Sequence, residues 1–283
     1  MQRKVERIIN GKETSDGVGV RLRRVLGQGQ DSRVDPFLML DDFGSDRPGD
    51  YIGGFPDHPH RGFETVTIML EGRMLHQDHM GNRGLLEPGS VQWMTAGSGI
   101  IHSEMPQQLS GRMRGFQLWV NLPAAEKMKP PTYQEFEAAQ IPVARLEDGV
   151  KARVIAGSID SEQGVIVGPV TGISVEPLVL DLEITGETHC AIPIDNRLSC
   201  AAYVYEGQVK IQGQIVQAGQ AAIVGGGDQL TVQNLAAARV LLMAARPIGE
   251  PVVQQGPFVM NSIEEIHQAM DDYRNGRLTD TIN

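Results

Sequence analysis

The sequence predicts an all-β protein built as two tandem barrels, with few short helices and one helix near the C-terminal end. Three observations carry that expectation. Short apolar stretches rich in β-branched residues recur along the chain with turn signals between them. The 283 residues include 33 glycines and 16 prolines, which suits many tight turns. A faint internal repeat divides the chain into two copies of about 140 residues each.

The expected strands are Thr65–Leu70, Ser90–Met94, Gly115–Asn121, Val165–Val170, Leu178–Ile184, Ala201–Tyr205, Val209–Ile211, Ala221–Val224 and Arg239–Ala244. Glu71-Gly72, Gly81-Asn82, Pro88-Gly89, Gly213 and Gly225-Gly226-Gly227 mark turns. In the repeat, Leu70-Glu71-Gly72 is followed 17 residues later by Gly89, and Tyr205-Glu206-Gly207 is followed 12 residues later by Gly219. Each copy reads as a strand ending in Glu-Gly, a hairpin, a Gly turn and another strand. Residues 121–136 contain Pro123, Pro130 and Pro131 and read as an irregular linker with a short helix at Ala124–Met128. This places the domains at 1–137 and 138–283. The final helix spans about 263–275, with Ser262 and Glu265 as a capping box, an apolar stripe of Ile263, Ile266, Met270 and Tyr273, and Gly276 at its end.

The composition is 41% hydrophobic and 21% charged, which excludes a disordered chain, a coiled coil and a disulfide scaffold. The formal net charge is −10, and most of the excess acid lies after residue 137. Neither half carries a basic stripe, so direct nucleic-acid binding is not expected. The start lacks the apolar core of a signal peptide. The longest run of Ala, Val, Ile, Leu and Met is Val240–Ala245, far short of a membrane span. Cys190 and Cys200 match no metal or redox spacing and read as reduced, partly buried thiols. These features together predict a cytoplasmic location.

The chemistry concentrates in one region. Five of the seven histidines lie within residues 58–102. Residues two apart on a strand share a face, so His58 and His60 project together, as do His102 and Glu104. Glu64 shares the parity of His58 and His60 unless Gly62 marks a bulge. One His-x-His pair alone reads as polar strand decoration. Two same-face pairs in a strand-rich context read as a metal site. Three imidazoles favour Fe, Cu, Ni or Zn, and the added carboxylate shifts the preference to Fe(II) or Mn(II). Four such ligands on an octahedral ion leave two positions for water, dioxygen or a chelating substrate. His76 and His79, flanking Asp78 beside Gly81-Asn82, read as a solvated hairpin. Trp93, Gln117 and Trp119 are candidate barrel-lining residues.

These motifs resemble the cupin superfamily and, within it, the pirin family. HPHRGFETVTIMLEG, from His58 to Gly72, looks like the pirin form of the first cupin motif. LEPGSVQWMTAGSGIIHSEMP, from Leu86 to Pro106, looks like the pirin form of the second. DPFLMLDDFG at Asp35–Gly44, LWVNLP at Leu118–Pro123 and GPFVMNSIEEI at Gly256–Ile266 are further matches. The resemblance implies two barrels of double-stranded β-helix (jelly-roll) type packed face to face, with iron in the N-terminal one. It implies His58, His60, His102 and Glu104 as ligands. Glu64, a ligand in many other cupins, is then expected beside the ligands or lining the core. Repeat offsets place the counterparts of the quartet at Pro193, Asp195, Val232 and Asn234, so the C-terminal barrel is expected to be metal-free.

The resemblance also implies an activity. Several bacterial pirins are quercetin 2,3-dioxygenases, which open the central ring of a flavonol with dioxygen. Glu104 is then the expected base for the flavonol hydroxyl, with Glu64 next. Fe(II) is the expected cofactor, with Mn, Ni, Cu or Zn as substitutes. A contrasting expectation, also from the resemblance, is an iron-bearing regulator that binds transcription factors or metabolic enzymes.

Overall fold

The alternation of apolar and polar residues between glycine turns produces short strands that pair antiparallel in the ladders that build both units. A computed structural model describes residues 1–234 and 236–280. Its strands fall into two units, each holding a seven-stranded sheet and a four-stranded sheet.

The histidine unit comprises Glu13–Arg24, Phe37–Ala138 and the chain from Ile248 onward. Its large sheet runs in the order Thr132–Phe136, Val91–Thr95, Phe63–Glu71, Met113–Asn121, Phe37–Ser45, Val20–Leu26, Lys12–Asp16. Its small sheet runs Phe55–His60, Ile100–Pro106, Met74–Asp78, Arg83–Leu86. One end of the space between these sheets is apolar. There Val20, Leu22, Phe43, Met69 and Met113 from the large sheet meet Met74 and Leu86 from the small one. Such packing is the main stabilising term for a two-sheet barrel.

The apolar unit comprises Met1–Lys12, Val25–Pro36 and Ala139–Pro247. Its large sheet runs Lys4–Asn10, Gln220–Gly225, Ser199–Glu206, Ala238–Ala245, Leu178–Ile184, Val150–Ala156, Val143–Glu147. Its small sheet runs Thr188–Pro193, Gln229–Asn234, Gln208–Ile211, Gln214–Gln217. The strand order matches that of the histidine unit position for position, so the faint repeat is a true structural repeat. Phe63–Glu71 and Ser199–Glu206 are the equivalent central strands. Each ends at a left-handed glycine, Gly72 at φ 82° and Gly207 at φ 69°. A side chain at Gly207 would stand 2.3 Å from the carbonyl of Ala237, so the Glu-Gly signature is a steric requirement.

The units interleave in sequence, which differs from the expected division at residue 137. The segment Lys4–Asn10 pairs with Gln220–Gly225 and closes the edge of the apolar unit. An open edge exposes unpaired backbone groups, and this pairing satisfies them. In the histidine unit the equivalent edge is closed by Thr132–Phe136, which pairs with Val91–Thr95. The expected linker therefore contains an edge strand, and its helix shrinks to a 3-10 turn at Ala124–Glu126. Val165–Val170 is strand only over Gly164–Val167.

The one α-helix among the described residues is Ile263–Arg274. Ser262 and Glu265 form the expected capping box, and Gly276 follows with φ 67°. Its buried face is Ile266 and Ala269, with Met270 packed beside them, whereas Ile263 and Tyr273 are exposed. Cys190 and Cys200 are fully buried free thiols, and burial pushes both up to about 12. That leaves them as inert hydrophobes. No helix among the described residues is long and apolar enough to cross a membrane.

Candidate metal centre

The register of one ladder assembles the site. In the small sheet of the histidine unit, His102 pairs with His58 and Ile100 pairs with His60. Directly paired residues of an antiparallel ladder project from the same face. The three rings therefore meet, with centroid separations of 4.7 Å for His58–His60, 4.2 Å for His58–His102 and 4.9 Å for His60–His102. Ligand nitrogens of all three lie within 4.8 Å of one another. His60 is 3% exposed and His102 is 1% exposed, while His58 is half-buried.

The electrostatics favour donor lone pairs over positive charge. Burial, followed by the charge of His58, holds the His60 imidazole well below its ordinary value. Burial and then the neighbouring His60 and His58 do the same to His102. Both are thus neutral imidazoles at pH 7. His58 Nδ1 lies 2.8 Å from the Pro56 carbonyl and His60 Nδ1 lies 3.4 Å from the Pro257 carbonyl. Such contacts place the proton on Nδ1 and leave Nε2 as the donor. Neither ring nitrogen of His102 has a hydrogen-bond partner among the described residues, although both are buried. An unpartnered buried polar atom costs about 1–3 kcal/mol, and a metal ion would remove that cost. The residues fit a metal.

Glu104 follows His102 by two residues on the same strand face, as expected, but its carboxylate is not among the grouped donor atoms. It is held from the opposite sheet. Thr67 Oγ1 lies 3.1 Å from Oε1, and Gln117 Nε2 lies 3.3 Å from Oε1 and 3.1 Å from Oε2. Thr67, Gln117 and Gln92 sit in one cross-strand row, so the large sheet presents a polar band to the histidines.

Glu64 lies elsewhere. Strand Phe55–His60 ends before Arg61-Gly62, and Phe63–Glu71 begins in the other sheet, so the parity does not carry across. Gly62 is at φ 88°, and a side chain there would meet the Val259 carbonyl at 2.0 Å. Glu64 and Thr67 point to opposite faces of their strand. The Glu64 carboxylate accepts from Trp93 Nε1 at 3.0 Å and from Thr95 Oγ1 at 2.8 Å, with Lys129 at 3.6 Å. Burial outweighs these donors and raises its pKa.

His76 is the residue the sequence reading missed. It is 1% exposed, not solvated, and stands directly opposite Glu104 in the ladder. Its ring lies 4.8 Å from that of His102. Burial lowers its pKa. Its separation from Met74 and Asp78 by steps of two was the available signal, overshadowed by the nearby turn.

Two further side chains hold the end of the histidine strand in place. Arg61 makes an ion pair with Asp272 of the helix at 2.7 Å and donates to the carbonyls of Ser98 and Leu278. Lys127, 1% exposed, donates to the Gly62 carbonyl at 2.7 Å, Asn121 Oδ1 at 2.7 Å and the Val259 carbonyl at 3.0 Å.

The same ladder in the apolar unit pairs Val232 with Cys190. Matching Val232 to His102 makes Cys190, Ile192, Val232 and Asn234 the counterparts of the quartet, in place of the Pro193 and Asp195 that sequence offsets gave. Cys190, Ile192 and Val232 belong to that unit's apolar core.

Comparison with known proteins agrees with this geometry. Residues 19–120 match the Pirin family and residues 179–279 match the Pirin C-terminal cupin domain. A pirin-like protein of Caulobacter vibrioides is 52% identical over 275 residues, covering 97% of this chain and 99% of that protein. Pirin of Homo sapiens is 41% identical over 283 residues, covering 97% of this chain and 93% of that protein. A crystal structure of quercetin 2,3-dioxygenase from Acinetobacter baumannii superposes with a TM-score of 0.91 at 30% identity, covering all of both chains. With two cupin barrels and both halves matched, the chain belongs to the pirin family.

Proposed function

We propose that this protein is an iron(II)-dependent dioxygenase that opens flavonols such as quercetin. The observation that carries the reading is the convergence of three imidazoles, with both nitrogens of buried His102 unpartnered. The likeness to a quercetin 2,3-dioxygenase over the whole chain supports it. His58, His60 and His102 would hold the ion, with the Glu104 carboxylate beside them as the proposed fourth donor. Imidazole with carboxylate suits Fe(II) or Mn(II) and accommodates Ni, Cu or Zn. When bound, the ion would lower the pKa of the flavonol 3-hydroxyl and bring substrate and dioxygen together.

The chain's own residues manage the proton. Thr67 has one hydroxyl hydrogen but faces two acceptors, Gln117 Oε1 at 2.8 Å and Glu104 Oε1 at 3.1 Å. With Glu104 ionised, one acceptor lacks a hydrogen. When Glu104 Oε1 takes the proton of the 3-hydroxyl, it donates to Thr67, Thr67 donates to Gln117, and Gln117 Nε2 donates back to Glu104. The ring of hydrogen bonds is then complete. Glu104 is thus the proposed general base, with Thr67 and Gln117 fixing the orientation of its carboxyl.

The test is metal analysis with oxygen uptake on quercetin. The expected result is iron bound to each chain with oxygen consumed and carbon monoxide released. His60→Ala is expected to abolish both metal and turnover. Glu104→Gln is expected to lower turnover by about 10²–10⁴-fold. Full iron occupancy without oxygen uptake on flavonols would refute the proposal.

A further inference from the structure

Chain from 197 positions further on packs behind His60. The Pro257 carbonyl lies 3.4 Å from His60 Nδ1, in the turn between the strands Val253–Gln255 and Phe258–Met260. Phe258 bridges Arg61, and the Val259 amide donates to the Arg61 carbonyl at 3.1 Å. Phe63 and Trp119 stand edge to face with the His60 ring at 5.0 and 5.3 Å, and Val259 packs in one apolar cluster with both. The helix Ile263–Arg274 follows. Its buried Ile266 and Ala269 cluster with Phe258, Met260 and Ile101, and Ile101 directly precedes His102 on the other histidine strand. One segment therefore backs both strands that carry the three imidazoles.

Arg61 fastens this segment with more direction than adhesion requires. It follows His60 immediately and is buried. Its guanidinium is fixed at three points, by Asp272 of the helix at 2.7 Å, by the Leu278 carbonyl at 3.2 Å and by the Ser98 carbonyl. The apolar cluster already supplies adhesion. A buried ion pair adds little to that, because desolvation offsets its attraction, and its best-attested use is to fix register. The apolar unit provides an internal comparison. There the strand Thr188–Pro193 carries Cys190 and Ile192 at the positions of His58 and His60, and an exposed Pro193 at the position of Arg61. Where the imidazoles give way to apolar side chains, the arginine gives way as well.

Resting on the reading of His58, His60 and His102 as metal donors, we propose that Arg61 and Asp272 are positioning residues of the metal centre. Their ion pair seats the segment so that the Pro257 carbonyl and the Phe63 and Trp119 rings hold His60 in its donor orientation. Docking of the helix and retention of the ion are then coupled. The coupling is reciprocal, so the factor by which the docked helix strengthens metal binding is the factor by which bound metal strengthens docking. Groups that orient a ligand are worth about 10–100-fold in metal affinity. Asp272 acts through Arg61 and Pro257, which places its effect at about tenfold.

The experiment uses the full chain and zinc alone, with no flavonol. Wild type, Asp272→Asn, Arg61→Met, His60→Ala and Val20→Ala are loaded, and zinc release to a chelator is timed at a temperature where each is folded. Val20 lies in the apolar end of the same unit, so Val20→Ala controls for general loosening. Hydrogen exchange of the helix amides is read with and without zinc. Asp272→Asn and Arg61→Met are expected to release zinc about tenfold faster than wild type, and Val20→Ala at the wild-type rate. In wild type the helix amides are expected to exchange about tenfold more slowly with zinc bound, and Asp272→Asn is expected to lose that protection. Release from Asp272→Asn at the wild-type rate overturns the proposal. Release from Val20→Ala as fast as from Asp272→Asn also overturns it. His60→Ala holding zinc as well as wild type, or wild type taking up none, instead overturns the donor reading on which the proposal rests.

Discussion

Lys127 provides a sharp physical test of how the site is held. It is an ammonium with no carboxylate within its own cluster of hydrogen bonds, buried against three oxygen acceptors. Burial pushes it from 10.5 down to about 8. At about 1.4 kcal/mol per pH unit, keeping it charged in the fold costs about 3 kcal/mol at pH 7. The sign follows from proton counting. Between pH 8 and 10.5 the unfolded chain binds the proton and the folded chain does not, so stability rises with pH through that window. Lys127→Met removes this dependence. It also strands three acceptors, at about 1–3 kcal/mol each, so the difference at one pH is a sum of opposing effects. The change with pH isolates the ammonium. Wild type is expected to gain about 2 kcal/mol on the variant between pH 7 and pH 9.5. Urea unfolding of the metal-free proteins, followed by tryptophan fluorescence, reads the right region, because both tryptophans, Trp93 and Trp119, lie in the histidine unit. A stability difference that stays constant across that range would refute the reasoning.

Further outcomes follow from the same geometry. Glu64→Gln is expected to keep full metal content and to destabilise by about 1–3 kcal/mol, because the amide has one acceptor oxygen where the carboxylate offers one each to Trp93 and Thr95, and Lys129 loses its charged partner; thermal unfolding alongside metal analysis checks this, and lost metal would contradict the placement of Glu64. The metal-free protein is expected to lose stability as pH falls below about 6.5. His60, His102 and His76 are held below that value in the fold and charge fully only on unfolding. A urea midpoint unchanged between pH 7 and pH 5.5 would contradict it.

Much of the site was legible because its spacing is local. His58 with His60, and His102 with Glu104, are two apart, and strand geometry alone puts each pair on one face. That the two pairs meet depends on the pairing of His102 with His58, a contact across 44 positions that no spacing rule encodes. Glu64 shows the limit of the local rule. Parity counts faces only within one strand, and Gly62 ends that strand by turning the chain into the other sheet. His76 shows the reverse failure, since a turn signal nearby suggested solvent where the ladder buries the ring.

The residue order by itself determined the strand content, the glycine turns, the capped helix and the candidate histidine pair, because each depends on φ/ψ preference or on neighbours a few positions apart. Tertiary structure alone decided which histidines converge, which carboxylate lies on their side of the sheet, and how the units interleave in sequence. It also decided that Arg61 and Lys127 tie the histidine strand to segments far along the chain. Those outcomes depend on cross-strand register and on burial, and both are properties of the assembled sheets rather than of any stretch of sequence.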